Sequence, residues 1–178
     1  IGIGKKQPTL GLLFPGQGAP QANPKSAVFQ RFAELNRFLS QTQLSQAEQI
    51  NTANAQPNIV RTTLAGLDLL KQFKLQASAA VGHSLGELSA LHWAGAYDQA
   101  SLIELAQARG HAMANYGQAN GGMASIGADP STIKSLINGD QAVIAGYNGP
   151  QQTVIAGSRE AMSTLVERAQ QQGLAATN

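Results

Sequence analysis

Not one of the 178 residues is cysteine, which removes disulfides, thiolate metal sites and a cysteine nucleophile together. Charge is scarce as well: Asp, Glu, Lys and Arg make up 12% of the chain, and the net charge is +2. The basic residues are dispersed, with Lys5-Lys6 the only adjacent pair, so no nucleic-acid-binding face is expected. Long apolar runs are missing too. The longest span a few residues, far short of the roughly 20 that cross a bilayer, so no membrane span is expected. The run Leu10-Gly11-Leu12-Leu13-Phe14 is too short for a signal-peptide core and is closed by Pro15. These absences are compatible with a cytoplasmic protein. The hydrophobic fraction of 43% is enough for one globular domain, or for one with a small subdomain inserted in it. The chain opens on Ile1 and stops at Asn178 in mid-pattern, so both ends read as cuts from something longer.

What remains alternates between strand and helix signals. Residues 9–14 form an apolar run stopped by Pro15-Gly16-Gln17-Gly18, a buried strand followed by a tight loop. Helical spacing follows over 28–39, then a polar, Gln-rich stretch over 40–56, then helical spacing again over 58–75. A strand over 77–81 leads into a helix over 85–94, with Leu85, Leu88, Leu91 and Ala94 on one face, and a further helix covers 99–115. This order predicts a parallel α/β sheet. The rhythm changes at Gly121-Gly122. Strand 123–127, helix 130–137 capped by Asp129, strand 141–147, turn 148–150 and strand 152–156 follow in order. A helix capped by Ser158 then ends at Gly173, and 174–177 begins a last strand. The order β-α-β-β-α-β is that of a ferredoxin-like subdomain. The expected domains are therefore 1–120 and 121–178.

Three features could carry chemistry. Gly82-His83-Ser84-Leu85-Gly86 is a Gly-x-Ser-x-Gly sequence between a strand and an amphipathic helix, the context of a nucleophile elbow. Flanking glycines suit so tight a turn, and the helix N-terminus beneath the serine would stabilise an oxyanion. A plain strand-to-helix turn with a capping serine is the alternative. Pro15-Gly16-Gln17-Gly18 lacks the third glycine of a dinucleotide fingerprint, since position 21 is Gln21. It is either an ordinary turn or a second N–H donor to the oxyanion hole. Arg109 lies seven, four and three residues after Leu102, Leu105 and Ala106, and four before Met113, on the expected core stripe. No acidic residue is an obvious mate for it. It is either a snorkelling or internally paired arginine, or a fork for a substrate carboxylate. His83 adjoins Ser84, but neighbouring side chains diverge at an elbow. His92 is two helical turns on, ~12 Å by rise. His111 lies two residues off the Arg109 stripe. None is a convincing base for Ser84, and a serine nucleophile needs one.

In order, the chain carries Phe14-Pro15-Gly16-Gln17-Gly18, Ala55-Gln56-Pro57, Gly82-His83-Ser84-Leu85-Gly86-Glu87 and Arg109-Gly110. Gly121-Gly122-Met123-Ala124-Ser125-Ile126-Gly127, Tyr147-Asn148-Gly149-Pro150 and Val154-Ile155-Ala156-Gly157 continue the series. Together they resemble the malonyl-CoA:acyl carrier protein transacylase family, which includes the acyltransferase domains of polyketide synthases. The stretch Leu91-His92-Trp93-Ala94-Gly95-Ala96 is similar to those of iterative enediyne-type synthases. The resemblance implies an α/β fold with a hydrolase-like parallel-sheet core and an inserted ferredoxin-like subdomain.

It further implies that Ser84 is the acylated nucleophile and that Gln17 and Leu85 give backbone N–H groups to the oxyanion hole. Arg109 would bind the free carboxylate of malonyl, with His83 nearby, and Gln56 and Asn148 would line the pocket. Leu85 after the serine resembles malonyl rather than methylmalonyl selection. Neither a metal nor a bound cofactor is implied. Malonyl-CoA enters as substrate, and an acyl carrier protein, the expected partner, brings its own phosphopantetheine. Such domains belong to larger multidomain polypeptides of polyketide or fatty acid synthesis. The family's histidine base follows the last strand of the small subdomain. Asn178 stands just short of that place, and a base contributes roughly 10²–10⁴-fold in rate, so residues 1–178 alone are expected to be inactive. A hydrolase with the same elbow and a non-catalytic interaction domain are the other readings.

Overall fold

The structure is a computed structural model and describes residues 9–17, 31–32, 51–117, 120–137, 139 and 141–177. The helix expected over 28–39 lies largely outside the described residues. The chain divides into two compact units, Ile1–Tyr116 and Gly117–Asn178.

In the first unit, β1 (Gly11–Phe14) pairs in parallel with β2 (Ala79–Gly82), Phe14 standing opposite Gly82. Three helices accompany the pair: α1 (Thr52–Gln72), α2 (Leu85–Trp93) and α3 (Gln99–Tyr116). Their core is Val60, Leu64, Leu85, Leu102 and Ala106, with Ile59, Leu88, Tyr97 and Ile103 packed around it.

Helix α1 starts six residues before the expected position 58. Asn51 caps it, its side chain accepting the Ala53 N–H at 3.0 Å. Gln56 and Pro57 are therefore inside the helix and buried. Pro57 brings no N–H for the Ala53 carbonyl, a defect of ~3 kcal/mol in an isolated helix. That defect hides the helix start from a reading of pattern. Helix α2 also turns differently from its expected face. Leu85, Gly86 and Ser89 are its buried residues, while Leu91 is 49% exposed. The buried stripe of α3 is Leu102, Ala106 and Gly110, a strict four-residue step, while Leu105 and Met113 are partly exposed. A Cβ on Gly110 would stand 2.9 Å from the Thr52 carbonyl oxygen and 3.1 Å from that of Ala53. Glycine thus brings α3 onto the backbone of the first turn of α1.

The second unit runs β3 (Gly121–Ile126), α4 (Pro130–Leu136), β4 (Ala142–Gly149), β5 (Gln152–Ser158), α5 (Arg159–Gln171) and β6 (Ala176–Thr177). The sheet order is β4-β5-β3-β6, and every pairing is antiparallel. Strand β4 runs two residues beyond the expected 147, through Asn148 and Gly149, so the turn falls at Pro150-Gln151. Ala124, Ile126 and Ile155 point from the sheet to Ile133, Leu136, Met162, Leu165 and Ala169 of the two helices, forming the core. The alternate residues Met123, Val143 and Tyr147 are exposed, the period-2 signature of a sheet covered on one side. Buried Thr153 donates its hydroxyl to the Ala128 carbonyl at 2.9 Å, which ties β5 to the start of α4.

Asp129 caps α4. The Ser131 hydroxyl, the Thr132 hydroxyl and both backbone N–H groups donate to its carboxylate and hold its pKa well below the usual range. A depressed folded pKa gives stability that is present above the unfolded value of about 3.9 and lost as pH falls toward the folded one. Asp129→Ala should therefore lower the melting temperature at pH 7, and the gap to the native protein should close below about pH 3.9, as thermal unfolding across pH will measure.

Candidate active site

Strand β2 ends at Gly82, and α2 begins only three residues later at Leu85. So abrupt a reversal forces Ser84 to φ 54°, ψ −112°, a left-side backbone conformation for a residue with a side chain. Such a conformation costs about 1–3 kcal/mol and persists only where its surroundings over-determine it. Here they do. The His83 N–H donates to the Phe14 carbonyl at 3.1 Å, and the Gly86 N–H to the His83 carbonyl at 2.9 Å. The Ser84 N–H donates to the Glu87 carboxylate at 3.0 Å. A Cβ on Gly86 would lie 2.0 Å from the Phe14 carbonyl oxygen, and one on Gly82 would lie 2.3 Å from Gly86. Both motif glycines are thus required by backbone-to-backbone contact.

The Pro15-Gly16-Gln17 loop runs beside the elbow. A Cβ on Gly16 would be 2.9 Å from the His83 carbonyl oxygen, 3.0 Å from His83 Nδ1 and 3.4 Å from Ser84 Cβ. Gln17 follows directly, so its backbone enters the site next to the serine.

Helix α3 brings Arg109 to the same place. Its Nη2 donates to Ser84 Oγ at 2.9 Å, and its Nη1 donates to Gln56 Oε1 at 2.8 Å. Gln56, fully buried on α1, donates through Nε2 to Gln17 Oε1 at 3.2 Å and to Met113 Sδ at 3.1 Å. Gln17 Nε2 in turn donates to Thr52 Oγ1 at 3.1 Å. Ser84, Arg109, Gln56 and Gln17, separate in sequence, are one hydrogen-bonded chain in space. Arg109 is half-buried, and both of its side-chain partners are neutral. A cation so placed favours an anionic ligand, which its planar fork can grip through two parallel hydrogen bonds.

The remaining expected residues are distributed otherwise. Leu85 is completely buried in the core, and its backbone opens α2 directly after the serine. His83 is exposed alongside the elbow. Asn148 belongs to the second unit, near the end of β4. His92 sits with Nδ1 2.9 Å from the Tyr97 carbonyl and its ring stacked on Tyr97, and His111 is exposed on α3. Burial raises the Tyr97 pKa, and its hydroxyl donates to the Leu88 carbonyl. Among the described residues no group of three His, Asp or Glu forms a metal cradle, and no helix is long and apolar enough to cross a membrane. Thr52 and Met113 enter the network without any chemical signal of their own in the sequence.

The family described as acyl transferase domain matches residues 27–178. The chain is 31% identical over 185 residues to a PKS-NRPS hybrid synthetase of Aspergillus candidus, covering 90% of this chain and 7% of that protein. It is 30% identical over 184 residues to the malonyl CoA-acyl carrier protein transacylase of Bacillus subtilis, covering 92% and 58%. Among solved structures, the acyltransferase domain of the iterative polyketide synthase in enediyne biosynthesis matches with TM-score 0.70 and 37% identity, over 95% of this chain and 38% of that one. The transacylase from Clostridium perfringens matches with TM-score 0.77 and 26% identity, over 96% and 60%. The chain thus spans only part of these four relatives, from 7% to 60% of their lengths.

Gly110 sets how closely Arg109 can approach Gln56. Gly110→Ala should push α3 off α1, cost about 1–3 kcal/mol and lower any reactivity that the site confers on the Ser84 hydroxyl. Denaturant unfolding combined with reactivity of Ser84 toward a fluorophosphonate checks this.

Proposed function

The chain belongs to the acyl transferase domain family, that of malonyl-CoA:acyl carrier protein transacylases and polyketide synthase acyltransferases, and from that premise we propose that it transfers a malonyl group through Ser84. The observation that carries this reading is the Arg109 guanidinium, half-buried between neutral partners and 2.9 Å from Ser84 Oγ. A dicarboxylic acyl group offers a thioester to the serine and a free carboxylate to the arginine.

In the first half-reaction, Ser84 Oγ attacks the thioester carbonyl and its proton passes to a base. The backbone N–H groups of Gln17 and Leu85 hold the oxyanion. The C–S bond then breaks, and CoA leaves as the thiol with the proton returned from the base. In the second, the phosphopantetheine thiol of an acyl carrier protein gives its proton to the base and attacks the Ser84 ester. Its C–O bond breaks, and the serine regains its proton. Malonyl-CoA is thus a substrate, and no resident cofactor takes part. The base is read, from the resemblance to the family, as a histidine that follows the small subdomain, while His92 is engaged with the Tyr97 carbonyl and His111 is exposed on α3. His83 is read as a pocket residue.

The architecture proposed with this function is a hydrolase-like core over 1–120 and a ferredoxin-like βαββαβ subdomain over 121–178. The domain is read as working in the cytoplasm, and as part of a larger polypeptide because it matches 7% of the hybrid synthetase relative.

Intact-protein mass spectrometry of the full-length protein after brief exposure to malonyl-CoA should reveal a malonyl adduct that Ser84→Ala abolishes. Arg109→Ala should lower kcat/KM for malonyl-CoA about 10- to 100-fold, the loss of a charge-assisted hydrogen bond pair, and spare acetyl-CoA. Rapid release of free malonate with no transfer to a carrier protein would instead make the protein a hydrolase.

A further inference from the structure

The hydrogen-bonded chain at Ser84 has a direction, and its direction is set by groups that cannot reverse. A guanidinium only donates, so Arg109 requires the oxygen of the Gln56 amide. A thioether sulfur only accepts, so Met113 requires its nitrogen. Gln56 is completely buried between these two and has one orientation. Its nitrogen therefore meets the oxygen of the Gln17 amide, which turns the Gln17 nitrogen outward to an acceptor. That acceptor is the hydroxyl of Thr52, the first residue of α1.

We infer that Thr52 is a positioning residue for acyl transfer, pinning the Gln17 side chain so that the Gln17 backbone N–H is aimed at the oxyanion on Ser84. The inference rests on the acyl-enzyme reading given above. Gln17 is exposed and follows Gly16 in the loop beside the elbow. Its amide is instead held at both ends, by Gln56 and by Thr52. The Thr52 end is anchored in turn. Asn51 caps α1 at this turn, and Gly110 brings α3 against the Thr52 carbonyl. Thr52 thus carries the rigid α1–α3 contact to a loop that needs it.

The test is a double-mutant cycle in the full-length protein, read as the rate of Ser84 malonylation over a range of malonyl-CoA concentrations. Loss of one neutral hydrogen bond corresponds to a fall of about three- to tenfold. Thr52→Val should give that fall in kcat with KM unchanged, because an oxyanion donor acts in the transition state. Thr52→Ser, which keeps the hydroxyl, should restore the native rate. In a Gln17→Ala background, Thr52→Val should have no further effect, since the amide it acts through is gone. A native rate in Thr52→Val, or an equal fall in both backgrounds, overturns the positioning role, the second outcome pointing to Thr52 as a structural residue of α1 alone. A native protein that acquires no adduct overturns the acyl-enzyme reading itself, and the role of Thr52 with it.

Discussion

A guanidinium held between the Gln56 amide and the Ser84 hydroxyl requires that three separate segments arrive at one point within hydrogen-bond distance. Each arrival depends on backbone rather than side-chain packing. The elbow meets β1 through Gly86, which sits on the Phe14 carbonyl. Helix α3 meets α1 through Gly110, which sits on the Thr52 and Ala53 carbonyls. The Ala53 carbonyl is also the one that Pro57 leaves without a helical donor. The helix defect and the close approach of α3 fall at the same turn, one turn from Gln56.

The elbow stores strain at Ser84, and the cost is met by the neighbouring bonds to Phe14, His83 and Glu87. Its position at the start of α2 has an electrostatic consequence. The positive end of the α2 dipole faces the serine, where negative charge would develop in acyl transfer. Arg109 adds a full positive charge to the same place. A serine so surrounded suits an anionic intermediate and an anionic acyl group alike, which supports the proposed dicarboxylic substrate.

The second unit needs none of this. Its sheet is held by antiparallel ladders and by one helical layer, with Thr153 and the Asp129 cap securing the corner around α4. The core there follows directly from alternation in the strands and four-residue spacing in the helices. The succession of strands and helices in this unit was accordingly readable along the chain, to within a few residues at the ends. Strand β4 ran longer than expected because Gly149, a turn former by composition, pairs with Gln152 of β5 across an irregular register at Asn148.

The sequence by itself determined what is local: the glycine spacing at the elbow, the alternation of strands and helices, and the presence of an arginine on a helix with no acidic mate. A turn too tight for a Cβ, a period of 3.6 and a missing counter-charge are all visible within a few residues. Tertiary structure alone decided that Gln17, Thr52, Gln56 and Met113 meet around Arg109, because their hydrogen bonds join residues 35 to 57 positions apart. It also decided that α1 begins at Thr52 and passes through Pro57, against local propensity. A proline in a helix is tolerated where burial compensates the lost bond, and burial is a property of the packed chain.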